Sequence, residues 1–448
     1  MDNSKKTIAQ LRTLCREKNI KGFSGKKKDE ILALLSSNSQ THTKPYSLLS
    51  KTLTQQISKE IKKNEGIYFT PKSIIQKNIE VVLPHLSNVK NVLEPSCGSC
   101  EFIQQLDSVL SNVKITGIEK NKLIFDAIQE LKFQNSTETV LADFLTWDAP
   151  IQYDLIFGNP PYFVTPKKTV LKEYYDYFDG RPNIFVLFLI KSLRLLSPNG
   201  VVSFILPKNF TNCLYYDKLR KHIYENYRII DIIDCESDDD NFLETKQETI
   251  HFIIQKSDEV VHENDEFTIK INEYIIFNTK PKIIKLKELY EGSTTLKEMN
   301  YSVHVGNVVW NQCKDILTND NSKTRLIYSS DIGNEMLLDE KIYANKEKKN
   351  YIEKDGSNDV LLVINRGYGV GKYHFNYCIL NIEFKYLIEN HLIFVKYNGT
   401  KTREELVEMY QMIVSSLKQE KTQEFIRLYF GNNAINTTEL NCLLPIYL

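Results

Sequence analysis

At Asp154-Leu155-Ile156-Phe157-Gly158 a short apolar run leads directly into Asn159-Pro160-Pro161-Tyr162. Paired prolines fix the backbone and leave the Pro160 carbonyl outside helix or sheet pairing, while Asn159 adds a side-chain carbonyl oxygen. Two such acceptors can bind both hydrogens of a planar amino group. The nitrogen of that group is a poor nucleophile because its lone pair is conjugated. Held by two acceptors, it becomes more tetrahedral and turns the lone pair toward an in-line sulfonium methyl. No strong base is needed, since the nitrogen becomes cationic in transit and sheds a proton afterwards. The gain comes from orientation and preorganised electrostatics. The Tyr162 ring can stack on a planar substrate.

A second constellation supplies the other half of such a reaction. Val92-Leu93-Glu94-Pro95-Ser96-Cys97-Gly98-Ser99-Cys100-Glu101-Phe102 reads as a strand, a small-residue loop and a helix. Small residues such as Ser96 and Gly98 let backbone approach a ligand at a helix N-terminus. Glu94 at the strand end suits a cationic amino-acid group. Glu119 ends the next strand, where doubly wound folds place an acid for ribose hydroxyls. Asp143 follows the third and offers an acceptor for an adenine amine, with Phe144 to pack on its face. Three acids ending three successive strands fit a nucleoside carrying an amino acid better than a dinucleotide. Cys97 and Cys100 also form a CxxC, but no second pair or histidine cluster lies at zinc spacing, so no metal is expected.

These groups need a frame that brings strand ends together. Short β runs at 91–94, 114–119, 140–142, 154–157, 201–205, 229–233 and 250–254 have helical stretches between the early ones. That alternation predicts an α/β, Rossmann-like seven-stranded sheet over a catalytic domain at 59–262. Ligands on such sheets bind at the carboxyl ends of the strands, where the motifs fall. The apolar run 184–196, interrupted by Lys191 and Arg194, is too short to cross a bilayer and reads as a buried helix. Beyond 262 the alternation loosens into isolated strands at 361–364 and 392–395 and a helix at 404–419, an α+β domain over 263–448. Residues 1–40 hold two helical patterns, 7–18 and 27–35, around a glycine-containing turn, and the Ser/Thr-rich 41–58 reads as a linker.

Lys+Arg and Asp+Glu both number 57, so net charge points to no polyanionic partner. Charge is nevertheless segregated. Lys18, Lys21, Lys26, Lys27 and Lys28 crowd the N-terminal turn, whereas Glu236, Asp238, Asp239 and Asp240 form a solvated acidic stretch. The lysines sit where ammonium groups reach phosphates; the alternative is a basic hairpin used for packing. Eight scattered cysteines and no apolar leader lead to the expectation of reduced thiols in cytoplasm or nucleus, and of no membrane association.

Taken in order, these motifs resemble the N6-adenine DNA methyltransferases whose cofactor motifs precede the catalytic tetrapeptide and a C-terminal target-recognition domain. Gly66-Ile67-Tyr68-Phe69-Thr70-Pro71 is similar to the family's leading motif, which implies that Tyr68, Thr70 and Pro71 lie near the methionine part of S-adenosylmethionine. Asn183 to Phe210 resembles the later core. Tyr216 resembles the second aromatic that stacks on the flipped adenine; otherwise it is a helix aromatic packed into the core. The first segment resembles the SAP DNA-binding module. The resemblance implies double-stranded DNA as partner, a monomer, and a cognate restriction endonuclease on a separate chain. It also implies DNA contacts from 308–312, 326–332, 365–373 and 430–433, with Arg366 and Lys372 beside a glycine-rich turn. Cys100 departs from the family's glycine, a feature that would suit a catalytically dead scaffold. The tetrapeptide is also similar to that of protein glutamine methyltransferases, and RNA is a further substrate class. The N-terminal hairpin and 263–448 have no use in a compact glutamine enzyme. No stretch of suitable size and no metal-carboxylate cluster is available for a fused nuclease.

Overall fold

The computed structural model describes residues 6–17, 25–37, 46–235, 247–257, 265–333, 335–365, 375–429 and 435–448. Lys18, Lys21, the acidic residues 236–240, Arg366, Lys372 and 430–433 lie outside the described residues.

The elements up to residue 256 are α1 (Ile8–Glu17), α2 (Lys28–Ser37), α3 (Leu48–Gln56), α4 (Lys59–Glu65), α5 (Lys72–Val82), β1 (Asn91–Glu94), α6 (Glu101–Asp107), β2 (Lys114–Glu119), α7 (Lys122–Ile128), β3 (Ser136–Leu141), β4 (Tyr153–Gly158), α8 (Ile184–Leu195), β5 (Leu196–Pro207), α9 (Asp217–Asn226), β6 (Arg228–Asp234) and β7 (Thr249–Gln255). All seven expected strands form. They make one sheet in the order β3-β2-β1-β4-β5-β7-β6. Pairings from β3 to β5 are parallel and β5 pairs β7 antiparallel. The inner parts of β1, β4 and β5 (92–93, 155–157 and 201–206) are apolar but for Ser203, because a parallel strand with both faces covered has no solvent side to mark with polar residues. Helix α8 is apolar on most of its circumference and eight of its side chains are buried, as expected of a helix inside a core. The order reverses between β1 and β4, and that crevice is where doubly wound sheets bind ligands.

The chain divides into two compact units interleaved in sequence. The first is Met1–Thr169, Arg181–Pro207 and Asp234–Lys256; the second is Val170–Gly180, Lys208–Ile233 and Ser257–Leu448. Sequence alone suggests a single cut near 262. Within the second unit the reason for the difference is visible. Arg220 of α9, fully buried, donates to the carbonyls of Ile275 (2.6 Å), Cys213 (2.8 Å) and Phe210 (2.9 Å). Asp217 accepts from the Ile275 amide (3.1 Å). Losing either partner would strand a buried charge, so α9 is committed to the strand Tyr274–Phe277 far along the chain. This unit also holds an antiparallel sheet of Tyr301–Val305, Leu392–Tyr397, Leu361–Asn365 and Tyr377–Leu380. Its core gathers Leu362, Val395, Tyr410 and Phe425. The expected late helix runs from Arg403 to Leu417 and is followed by Glu420–Tyr429 and Thr437–Cys442.

The stretch read as a linker contains α3. Ser47 caps it, accepting from the Ser50 amide, and Ser50 Oγ donates to Glu101 Oε1 (2.6 Å) beside Ser99 (2.8 Å). Serines that suit a flexible linker instead supply a helix cap and buried hydrogen bonds. Helices α1 and α2 form a small hairpin around Leu11, Cys15 and Ile31.

A polar chain crosses the core of the first unit. Ser203 Oγ donates to Asn78 Oδ1 (2.8 Å), and Asn78 Nδ2 lies 3.2 Å from His251 Nδ1. Burial, with Lys77 adding to it, pushes His251 down to about 4 from its ordinary 6.5. Between those values the unfolded chain binds a proton that the folded chain refuses, so stability rises with pH across this window and falls on acidification. The full chain is expected to lose up to about 1.4 kcal/mol of stability per pH unit from this group as pH falls below 6.5. Denaturant unfolding should show a shallower decline for H251Q; parallel declines would rule out His251 as the source.

Candidate functional site

A pocket of about 320 Å³ opens at the carboxyl ends of β1, β2 and β4. Of the residues expected at a cofactor site, Tyr68, Ser96, Gly98, Glu119, Asp143, Phe144 and Asn159 line it, as does Pro161. Glu94, Thr70, Pro71, Pro160 and Tyr162 are not in the lining; Thr70 and Tyr162 hydrogen-bond Asn159, which is.

Asn159 is the junction. Its Nδ2 donates to Thr70 Oγ1 (3.1 Å) and reaches the Tyr68 carbonyl (3.5 Å). With both donors engaged, the carboxamide has one orientation and Oδ1 is its acceptor side. The Tyr162 hydroxyl lies 2.5 Å from Asn159 Oδ1 and 2.7 Å from the Ile205 carbonyl, one proton serving both. Burial drives the Tyr162 phenol well above its ordinary value, so it stays a donor. Its ring meets Phe185 edge-on at 6.0 Å. The Pro160 carbonyl accepts no hydrogen bond among the described residues.

Gly66 explains how the leading motif comes so close. It closes α4 with φ +66°, and a Cβ there would stand 2.9 Å from both Pro161 Cβ and the Tyr162 amide nitrogen. Only glycine gives this backbone conformation without strain and leaves room for the proline turn. Pro71 stands at the N-cap of α5, just past Thr70.

Glu119 is 8 % exposed and works with both oxygens. It accepts from the amides of Gly98 (2.9 Å) and Asn121 (2.7 Å), pinning the loop after β1 to the end of β2. Burial raises it to about 7, against those backbone hydrogen bonds. Glu94, placed by the sequence against the ligand, turns away from it. Its carboxyl packs against Gly158, where a Cβ would lie 3.3 Å from Cγ, and its buried Oε2 has no hydrogen-bond partner. Burial first, then the nearby Cys100 and Glu119, push it well above the usual carboxylate range. Asp143 accepts from the Leu145 amide (3.0 Å) and pairs with Lys120 (2.8 Å). The buried Phe144 ring lies 5.0 Å from Phe188, with the Lys191 ammonium 5.0 Å from its centroid.

Cys100 adopts φ +58° at the start of α6. Its position is left-handed, which is what a glycine there would supply at less cost. Cys97 and Cys100 are free, buried thiols. Tyr216 belongs to the second unit, half-buried at 5.9 Å from Phe210, while its neighbour Tyr215 is exposed.

Sequence reasoning missed Glu65, Lys120, Asn121, Phe163, Ile184 and Phe188 in the lining. Glu65 and the Lys120-Asn121 pair directly flank motifs already identified, and extending each motif by one or two residues finds them. Phe188 sits mid-way along α8 with no local signal.

The pocket fits S-adenosylmethionine. It combines carboxylates at strand ends, Glu119 and Asp143, with a glycine loop facing a helix start and with aromatic and aliphatic walls. Relatives agree in kind. The type II methyltransferase M.CvrRI of Paramecium bursaria Chlorella virus XZ-6E is 27% identical over 392 residues, covering 85% of this chain and 94% of that protein. The modification methylase CviBIII of Paramecium bursaria Chlorella virus NC1A is 25% identical, covering 92% of this chain and 100% of that one. A tRNA1(Val) (adenine(37)-N6)-methyltransferase of Glaesserella parasuis is 30% identical over 132 residues, 27% of this chain and 53% of that one. The Eco57I restriction-modification methylase family matches residues 1–242. The sheet is that of an S-adenosylmethionine-dependent methyltransferase, and the cofactor is S-adenosylmethionine. With more than half of its length matched, this chain belongs to the Eco57I restriction-modification methylase family.

Proposed function

We propose that this protein methylates N6 of adenine at specific sites in double-stranded DNA, acting as the modification enzyme of a restriction–modification system. The observation that carries the reading is the Asn159 carboxamide, fixed by Thr70 and Tyr68 with Oδ1 as its acceptor, next to a Pro160 carbonyl that accepts no hydrogen bond among the described residues.

S-adenosylmethionine, when bound, supplies an electrophilic methyl group on its sulfonium. Glu119 would hold the ribose hydroxyls and Asp143 the adenine amine of the cofactor, with Phe144 against its ring system. Ser96 and Gly98 allow close backbone approach, and Tyr68, Thr70 and Pro71 shape the methionine end. Glu94 would act from behind the lining, supporting the loop through Gly158. On the substrate side, Asn159 Oδ1 and the Pro160 carbonyl each accept one hydrogen of the target amine and turn its lone pair toward the methyl group. Pro161 fixes the turn. The target base would leave the duplex to reach them, stacking on Tyr162 and Tyr216. Preorganisation is the main source of rate, since these acceptors need no rearrangement during transfer.

DNA is favoured over RNA or a protein amide by the extent of the likeness. The relatives named as type II or modification methyltransferases align over 85% and 92% of this chain, whereas the tRNA methyltransferase aligns over 27%. Lys26, Lys27 and Lys28, at the turn of the α1–α2 hairpin and the start of α2, support a SAP-like DNA contact, to which Lys21 would add. Arg366 and Lys372 would contribute from the target-recognition region at 263–448. We further propose a monomer, with the cognate endonuclease on a separate chain.

Asn159→Ala should abolish transfer while cofactor binding survives, weakened by the loss of the Thr70 and Tyr68 contacts. Base-resolved sequencing of DNA from cells expressing the wild-type chain should reveal N6-methyladenine at one recurring sequence, and its absence would defeat the proposal. Glu119 titrates at about 7, and its ionised form is the better acceptor for two hydroxyls. Cofactor affinity is therefore expected to weaken as pH falls through 7, approaching about tenfold per pH unit, and E119Q to remove that dependence. Calorimetric titration between about pH 6 and pH 8 reads this; a flat wild-type profile excludes the role. Deleting residues 1–40 should lower duplex affinity and flatten its salt dependence by about one unit of slope for each phosphate that the hairpin engages. Unchanged affinity would remove the N-terminal hairpin from the DNA surface.

A further inference from the structure

Ile342, in the second unit, is 100% exposed, which is unusual for a side chain of its size. It is not at the tip of a loose loop. Its two neighbours are both tied inward to one carboxylate, the fully buried Asp331. The Tyr343 hydroxyl lies 2.8 Å and 3.0 Å from the two Asp331 oxygens. The Lys341 ammonium stands 3.6 Å from the same group and donates to the Ser330 carbonyl. Asp331 is itself held by the Tyr328 amide (3.0 Å) and faces Arg325 at 3.6 Å. Asn350 closes the segment, donating to the Lys341 carbonyl (3.1 Å) and accepting from Arg325 (2.6 Å). Residues 341 and 343 are thus fixed toward the interior and the side chain between them is forced outward.

The surroundings of this projection are basic. A concavity of about 560 Å³ is lined by Ile342, by four lysines, Lys341, Lys346, Lys348 and Lys349, and by one acid, Glu340, which accepts from the Tyr351 hydroxyl. Lys348 lies over the Tyr328 ring (4.7 Å) and the Trp310 ring (5.1 Å), so its ammonium is positioned. Lys346 and Lys349 make no ion pair among the described residues, unlike Lys314, which holds Glu347 at 2.7 Å. A rigidly presented alkyl group beside ammonium groups without a carboxylate partner matches a polyanion that carries apolar groups between its charges. Duplex DNA has that character: phosphates on the ridges and, in the major groove, the thymine C5-methyl as the alkyl group on a base edge.

We infer that the segment around Ile342 is a DNA-reading contact in which Lys346 and Lys349 engage phosphates and Ile342 meets a thymine methyl in the major groove. The inference rests on DNA being the substrate, and it adds a specificity-determining residue within 263–448 but outside the short segments 308–312, 326–332, 365–373 and 430–433 that the resemblance implies.

The test uses the full chain and fluorescence anisotropy with a duplex carrying the methylated site, so that binding is read apart from transfer. The double variant K346Q/K349Q should bind more weakly, with the slope of log affinity against log salt reduced by about two. Ile342→Ala should keep the wild-type slope. It should instead lose the roughly fourfold penalty that the wild type shows when deoxyuridine replaces thymine at one position of the site. Cofactor affinity measured on each variant should match the wild type and reports that the chain is folded. A wild type that binds duplex DNA but transfers no methyl group counts against the proposed function alone. Unchanged affinity and slope in the lysine variant, or equal deoxyuridine penalties in Ile342→Ala and wild type, would overturn the inference. So would a lysine variant whose only defect is weaker binding to an acidic protein.

Discussion

The hydrogen bond from Asn159 to Thr70 joins two segments 89 residues apart, and the geometry of the site follows from it. An asparagine carboxamide can present either its oxygen or its nitrogen to a substrate. Occupying both hydrogens with Thr70 and the Tyr68 carbonyl removes that freedom and leaves an acceptor. That contact in turn needs the leading motif to lie against the proline turn, which the missing side chain of Gly66 permits. A helix end, a strand end and a proline turn are therefore set by one another, and none would have its shape alone.

Around this junction the first unit concentrates carboxyl groups in poorly solvated positions. Glu119 directs its charge at two backbone amides and so fixes the glycine loop relative to β2. Glu94 is more deeply buried, and its orphaned oxygen is a standing cost that a cationic ligand nearby would reduce. Burial disfavours the ionised form of Glu94 and Glu119, and a positively charged sulfonium compound nearby would favour it. The electrostatics of the pocket thus favour the cofactor of this family over a neutral nucleoside.

The second unit uses buried charge differently. Arg220 with Asp217, and Arg325 with Asp331, are side chains almost wholly removed from water, and each organises backbone carbonyls or amides of distant segments. Such pairs add little net stability but penalise alternative arrangements heavily. That trade fixes where the surface residues of the region stand. The fully exposed Ile342 illustrates it, since its position is dictated by what its two neighbours bond to.

Much of the first unit was legible in the sequence. Six of the seven β runs lie in it, and these, the carboxylates closing β1 and β2, the proline turn and the apolar helix α8 carry local signals, because a strand end, a tight turn or a buried helix restricts the residue types it accepts. Segments where one composition serves two structures were not legible. Serine and threonine before residue 58 could be linker or capped helix, and only the partners Ser99 and Glu101 decide for α3. The inward turn of Glu94 depends on Gly158 in another strand. The allocation of α9 to the second unit depends on carbonyls from residue 210 to residue 275. The sequence by itself determined the chemistry available and the sheet that carries it, since both are written in short-range patterns. The tertiary structure alone decided which oxygen of each side chain is free, which groups are buried and which side chain points outward, because those outcomes are set by contacts between residues far apart in the chain.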